Sequence, residues 1–128
     1  MRSTLLLRLA APMQSWGVAS KFEQRTTANE PTKSGVVGLL ASALGRNRND
    51  AIEDLATLDF GVRLDQPGQM IRDFHTARHI KDEPGQVYGS VIESSKSHVT
   101  ERFYLVDAVF LVGIEGESDL IEKLKVAV

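Results

Sequence analysis

The chain has 128 residues, of which 42% are hydrophobic and 25% are charged, and it contains no cysteine. These values predict one folded domain and exclude disordered, collagen-like and coiled-coil classes. Without cysteine there are no disulfides, thiolate metal sites or cysteine nucleophiles. Because Arg8 follows the leucines and no run of about 18 apolar residues occurs, we expect neither a transmembrane helix nor a signal peptide. We therefore predict a cytoplasmic protein without a membrane partner.

The net charge of −2 is unevenly distributed along the chain. Residues 1–49 contain seven Lys or Arg and two Glu, a net charge of +5, whereas residues 50–128 carry −7. A basic N-terminal part can face a polyanion while the acidic remainder stays solvated or meets basic partners. The alternative is that the two parts differ by chance.

The first predicted element is a strand over Thr4–Ala10, whose alternating leucines form one face while Arg8 marks a face that stays open. Residues 11–31 lose this periodicity and form a predicted loop that is long for a compact domain, and such loops are typically functional. A helix follows, with Thr32 or Ser34 as its N-cap and a glycine as its stop.

The middle of the chain predicts a short helix and extended segments. The helix covers Asp50–Leu58, and a strand with apolar alternation covers Phe60–Leu64 until Pro67 and Gly68 end it. Met70–His75 is predicted to continue as extended chain.

The last part begins with a polar insertion at residues 76–101, predicted as a loop or a long hairpin because it has few large apolar side chains. Arg102–Ile114 is predicted as one central strand, apolar on both faces except at Asp107. Ser118 is the predicted cap of a final helix. The apolar stripe of that helix consists of Leu120, Ile121, Leu124 and Val128.

This order predicts an α+β fold, βαββα, one strand short of the βαββαβ ferredoxin-like fold of RRM domains. The missing strand would pair with the first, so the edge at Leu5–Leu9 is expected to be covered by another chain unless the sequence is a fragment. The RRM stacking signature is absent, so we interpret the later aromatic residues as core. These are Phe103, Tyr104 and Phe110.

The segment Pro31–Gly35 opens the first helix directly after the basic loop. Backbone N–H groups, the helix dipole, two hydroxyls and the Lys33 ammonium are suited to a phosphate there. No Walker motif is present, since Lys33 precedes the glycines. The alternative is an ordinary capped helix whose glycines pack on the sheet.

Met13–Gly17 places the only tryptophan in a polar loop. Trp16, beside Gln14 and near Lys21 or Arg25, has the features of a base-stacking residue. The alternative is that Trp16 packs the loop onto the domain.

Arg72–Thr76 leads into the polar insertion and allows three interpretations. Asp73, His75 and His79 have a weak metal-ligand spacing. Acid–base groups for RNA cleavage through a 2′-hydroxyl are a second option. Their candidates are His75, His79, His98, Lys81, Lys96 and Tyr88. The third is that these residues are solvated on a loop facing nucleic acid or a partner.

Three segments, Arg8–Gly17, Pro31–Leu40 and Arg72–Thr76, together resemble the CasD family, the "Cas five" subunit of the type I-E CRISPR Cascade complex. The resemblance implies an RRM-like domain of the RAMP superfamily over residues 1–128, with a thumb hairpin at 76–101. It implies that the chain holds the 5′ handle of CRISPR RNA, caps the CasC backbone and contacts CasA in antiviral defence. Since type I-E complexes leave RNA cleavage to CasE, it implies no catalytic residue, metal or cofactor.

The resemblance also assigns roles to residues. Gln14, Trp16 and Gly17 lie near the handle, the helix start holds its phosphates, and Arg72 and His75 lie at the thumb base. The residues at the helix start are Thr32, Lys33 and Ser34. Ala11 departs from the family, which usually has glycine there, and relatives continue through a closing strand, so we expect a C-terminally truncated chain.

Three functions follow from these patterns. The first is a non-catalytic RNA-binding subunit, to which Lys21 and Arg25 add positive charge. The second is a metal-independent endoribonuclease that processes CRISPR repeat RNA. The third is a protein-interaction module that uses the open edge of the first strand.

Overall fold

The computed structural model describes residues 1–18, 24–78 and 97–128, arranged as a mixed α/β fold. The strands and helices are β1 (Arg2–Ala10), β2 (Met13–Gln14), β3 (Gln24–Arg25), α1 (Lys33–Ala43), α2 (Glu53–Ala56), β4 (Asp59–Gln66), β5 (Gln69–Arg78), β6 (Ser97–Val106), β7 (Val109–Glu117) and α3 (Ser118–Ala127). Several predicted residues lie outside the described part of the chain. They are Lys21, His79, Lys81, Tyr88, Lys96 and the side chain of His98.

The first sheet has the strand order β1-β7-β4, and its neighbouring strands are antiparallel. Along β1, Leu5, Leu7 and Leu9 pack towards the core, whereas Leu6 is 62% exposed and Arg8 lies on the same open face. The predicted alternation of this strand is therefore confirmed. The buried core opposite the open face comes from all three helices and β7. Its members include Val36, Leu40, Leu55, Val112, Ile114, Ile121 and Leu124.

The second sheet is built around β6. β5 pairs antiparallel with the whole of β6, from Gln69 opposite Val106 to Arg78 opposite Ser97. On the other side of β6, β2 pairs antiparallel and β3 pairs parallel. The predicted loop over 11–31 was thus only partly right, because it contains two short strands that are held by non-local pairing.

The predicted single strand Arg102–Ile114 was wrong. Asp107 has a φ of 58°, in the left-handed region, so the extended chain cannot continue through it. Its N–H donates to the Pro12 carbonyl (3.3 Å), and its own carbonyl accepts from Gln66 Nε2 (2.5 Å). This corner moves the chain from β6 in the second sheet to β7 in the first.

The predicted N-cap of α1 is confirmed, since Thr32 Oγ1 accepts a hydrogen bond from the Gly35 N–H (3.1 Å). Gly45, just beyond the helix, has a φ of +75°, which suits its predicted role as a stop. The second helix was predicted too long, because α2 covers four residues and starts after Ile52 without a side-chain cap. Asp50 instead accepts from the Asn47 N–H (2.6 Å).

The predicted cap of the last helix was also wrong. Ser118 is the first residue of α3, and its hydroxyl lies 2.7 Å from Ser3 Oγ and 3.1 Å from the Met1 carbonyl. It therefore ties the start of β1 to the end of β7. Ile121 and Leu124 are buried as predicted, but Val128 is 55% exposed and lies outside the apolar stripe.

Within the described ranges, each helix is too short or too polar to cross a lipid bilayer.

Candidate nucleic-acid interface

Gln14 is a buried amide at the meeting point of the two sheets. Its Nε2 donates to the carbonyls of Leu9 (3.2 Å) and Ala108 (3.0 Å), while its Oε1 accepts from Trp16 Nε1 (3.1 Å). Both N–H bonds of the Gln14 amide thus donate to carbonyls of the protein itself. The amide connects the end of β1, the β6–β7 corner and the loop that carries the tryptophan.

Trp16 lies against the first turn of α1. A Cβ placed on Gly35 would be 2.8 Å from Trp16 Cε3, so the indole occupies the space beside this glycine. The Trp16 N–H donates to Thr27 Oγ1 (2.8 Å), and its carbonyl accepts from the Ala28 N–H (2.6 Å). The half-buried ring also packs on both apolar clusters. Of the two alternatives for Trp16, the structure favours packing of the loop onto the domain.

The start of α1 presents an exposed cation. Thr32 Oγ1 is engaged as the cap, and Ser34 Oγ lies 3.4 Å from it. Lys33 and Ser34 are both exposed, and among the described residues Lys33 takes part in no ion pair. This turn therefore has a capped backbone and a free ammonium.

A second basic feature lies on the sheet built around β6. A surface pocket of about 350 Å³ is lined by Ser15, Gly17, Arg25, Thr26, Arg102, Phe103 and Tyr104. Arg25 and Arg102 are paired residues of the parallel β3–β6 ladder, so their side chains leave the same face. The sequence did not predict a role for Arg102, and it predicted Tyr104 as a core residue. The reason is that no local pattern indicates the parallel pairing of two distant segments.

Arg72 and His75 lie on opposite faces of the β5–β6 hairpin. Arg72 Nη1 is 3.7 Å from Glu101 Oε1, whereas His75 Nε2 is 2.5 Å from Asp73 Oδ2. Asp73 is the register partner of Arg102, so the Asp73–His75 pair shares the face of the basic pocket. No group of three metal-ligating side chains occurs in the part of the chain that the structure describes.

A family model described as "CRISPR-associated protein (Cas_Cas5)" matches residues 4–128. The chain belongs to this Cas5 family. It is 36% identical over 125 residues to the CRISPR system Cascade subunit CasD of Escherichia coli (strain K12), which covers 89% of this chain and 54% of that protein.

Solved structures give the same relationship for this Cas5 chain. A chain from a CRISPR RNA-guided surveillance complex superimposes with a TM-score of 0.80 at 37% identity, covering 98% of this chain and 53% of that one. A second structure, described as the crystal structure of Cas protein, gives a TM-score of 0.69 at 44% identity and covers 98% and 51%. The chain thus spans about half the length of these relatives, and the predicted resemblance to the CasD family is confirmed.

The structure brings the predicted site residues of this Cas5 chain together in two groups. The first surrounds the Gln14–Trp16 contact and the α1 start, and the second surrounds the pocket of Gly17 and Arg25. His75 lies on the face of the second group, and Arg72 lies on the opposite face. Lys21 lies outside the described residues.

Proposed function

We propose that this Cas5-family chain is a non-catalytic RNA-binding and scaffolding part of a Cascade surveillance complex, where it holds the 5′ handle of CRISPR RNA. The observation that carries the proposal is the exposed start of α1. There the Thr32 cap leaves Lys33 and Ser34 facing solvent, and the Trp16 ring holds the preceding basic loop against the same turn. An exposed hydroxyl and an ammonium at a helix N-terminus suit the phosphates of a single strand.

The predicted residues take different roles in this proposal. Thr32, Lys33 and Ser34 hold handle phosphates, and the Gly17 backbone lies beside the RNA. Gln14 and Trp16 act as positioning residues, since the Gln14 amide is buried and holds the indole N–H. The roles of Arg72 and His75 at the thumb base remain predictions of the resemblance, and the role of Lys21 remains a prediction from the charge of its loop. Gln14 and Trp16 therefore contribute to RNA binding by holding the loop in place.

The proposed partners are supported by the descriptions of the relatives. CasD is a Cascade subunit by description, and one structural relative comes from an RNA-guided surveillance complex. On the resemblance to the CasD family we propose CasC and CasA as protein partners, residues 76–101 as the thumb, and the cytoplasm as the location. The order β1-β7-β4 with α1 and α3 on one face supports three strands of an RRM-like, ferredoxin-like sheet.

The proposal is tested by replacing the cation at the α1 start. Lys33→Ala should weaken binding of a fluorescent 5′ handle RNA several-fold, because one phosphate contact is lost. The matched control is Arg48→Ala, which removes the same charge from an exposed turn beyond α1. Fluorescence anisotropy measures both. Equal affinities for the two variants would show that the α1 start does not contact RNA.

A second candidate function, metal-independent RNA cleavage, is favoured by the Asp73–His75 pair. The carboxylate 2.5 Å from His75 Nε2 orients an imidazole on the face that carries Arg102, and an oriented imidazole is a common general base. Incubation with repeat RNA in EDTA distinguishes the two functions. Product that disappears in His75→Gln supports cleavage, and intact RNA after long incubation removes this candidate.

A further inference from the structure

Two arginines from distant parts of the chain stand side by side on one sheet face. Arg25 of β3 and Arg102 of β6 are direct register partners in a parallel ladder, and neighbouring strands are about 4.8 Å apart. Both side chains are exposed. Among the described residues, neither takes part in an ion pair.

The nearest carboxylate in the ladder is already engaged. Asp73 faces Arg102 across the β5–β6 pairing, but its Oδ2 lies 2.5 Å from His75 Nε2. Like charges placed directly opposite one another destabilise a sheet. The described residues therefore hold two positive charges together without a carboxylate bound to either, and a bound anion would relieve their repulsion.

The pocket beside the arginines has the remaining features of a nucleotide site. It is about 350 Å³ in volume, within the range of small-molecule pockets, and the half-buried Tyr104 lines it. Gly17 contributes backbone without a side chain, and a Cβ there would meet nothing within 4 Å, so the approach is open. The Thr26 hydroxyl donates to the Val18 carbonyl (2.7 Å) and holds this rim in place.

We propose that Arg25, Arg102 and Tyr104 form a single-nucleotide subsite for single-stranded RNA. The two guanidinium groups clamp one phosphodiester, whose two free oxygens match a pair of planar donor groups. The Tyr104 ring stacks on an adjacent base. This subsite rests on the proposed RNA-binding function and extends it from the α1 start to the sheet around β6.

The first test measures handle RNA affinity by fluorescence anisotropy for Arg25→Ala, Arg102→Ala and the double variant. Each single change should lower affinity about tenfold, the ratio expected for a charged hydrogen bond of about 1.5 kcal/mol. Because both arginines hold one phosphate, the double variant should be much less than a hundredfold weaker. Arg25→Lys should not recover full affinity, since lysine lacks the planar fork. Arg48→Ala is the control and should change affinity less than twofold.

The second test measures the melting temperature of the protein without RNA. Removing either arginine relieves repulsion, so neither single variant should melt lower than the wild type. Affinity and stability then change in different directions, which a merely structural role cannot produce. Lower melting temperatures, or full affinity in the double variant, would overturn the subsite.

Failure of the subsite differs from failure of the proposed function. If the wild type binds handle RNA and the double variant binds it equally well, the subsite is wrong and the function stands. If the wild type does not bind handle RNA, the function is wrong, and a thermal shift with a millimolar RNA dinucleotide decides the subsite. Stabilisation of the wild type but not of the double variant supports it, and no stabilisation rejects it.

Discussion

At the scale of single residues, Gly35 and Gly38 make a matched pair one turn apart in α1. A Cβ on Gly35 would lie 2.8 Å from Trp16 Cε3 and 3.0 Å from Thr32 Oγ1, whereas a Cβ on Gly38 would meet nothing within 4 Å. The indole is held by Gln14 and packs on the core, so it cannot move aside freely. The absence of a side chain at Gly35 therefore permits the loop to close on the helix.

Gly35→Ala should lower the free energy of unfolding by about 1–3 kcal/mol, because the new methyl group overpacks the Trp16 contact. Gly38→Ala should raise it by up to about 1 kcal/mol, since alanine has the higher helix propensity in open space. Urea denaturation measures both. Two changes of the same sign would contradict the packing of Trp16 on this turn.

At the scale of secondary-structure elements, Arg46 joins the end of α1 to α2. Its Nη1 and Nη2 donate to the two oxygens of Asp54 (2.6 Å each), and Nη1 also donates to the Ala51 carbonyl (3.0 Å). The hydrogen bonds from Arg46 are the main cause that lowers the pKa of Asp54 to about 2. The carboxylate is half exposed, so solvent screens much of this effect.

The low pKa of Asp54 predicts how stability depends on pH. The pKa of an unfolded aspartate is about 3.9, so the pair contributes fully above about pH 4 and its contribution is lost as the pH falls towards 2. Asp54→Asn should therefore make the loss of stability between pH 4 and about 2 smaller. Urea denaturation at several pH values checks this. An acid slope for Asp54→Asn equal to that of the wild type would contradict this role of the pair.

Asp107 sets the corner between the two sheets. Its φ of 58° is strained for a β-branched side chain and is relaxed for glycine. Asp107→Val should lower the free energy of unfolding by about 1–3 kcal/mol, whereas Asp107→Gly should be nearly neutral. Thermal or urea unfolding measures the difference. Equal stabilities for the two variants would show that the corner does not require this conformation.

At the scale of the whole molecule, local patterns predicted the elements and missed the pairing between them. The predictions of the leucine alternation in β1 and of the Thr32 cap are confirmed, because each depends on a few neighbouring residues. The sequence does not predict the β6–β7 corner, because both strands are apolar and only Asp107 interrupts the apolar pattern. The parallel pairing of β3 with β6 joins segments far apart in sequence, so the neighbourhood of Arg25 and Arg102 appears only in the fold.

For the candidate site too, local patterns predicted the segments but not the contacts between them. The residue types of the motifs pointed to the loop and the α1 start, and the structure places them in contact through Trp16. The motifs gave no reason to expect that Gln14 is buried and serves the fold. Buried amides and exposed amides have the same sequence signature, so only the hydrogen bonds of Gln14 separate a positioning role from direct contact.

The central proposal is that the start of α1, with the loop that packs against it, holds single-stranded CRISPR RNA by its phosphates. The most direct measurement is the affinity for 5′ handle RNA across a salt series from about 50 to 300 mM, for which log K should fall linearly with log salt by about 0.7 per phosphate neutralised. Lys33→Ala should make that slope shallower by about 0.7, the contribution of one phosphate contact. Arg48→Ala should leave the slope unchanged. Affinity that is independent of salt, or no binding at the lowest salt, would contradict the account.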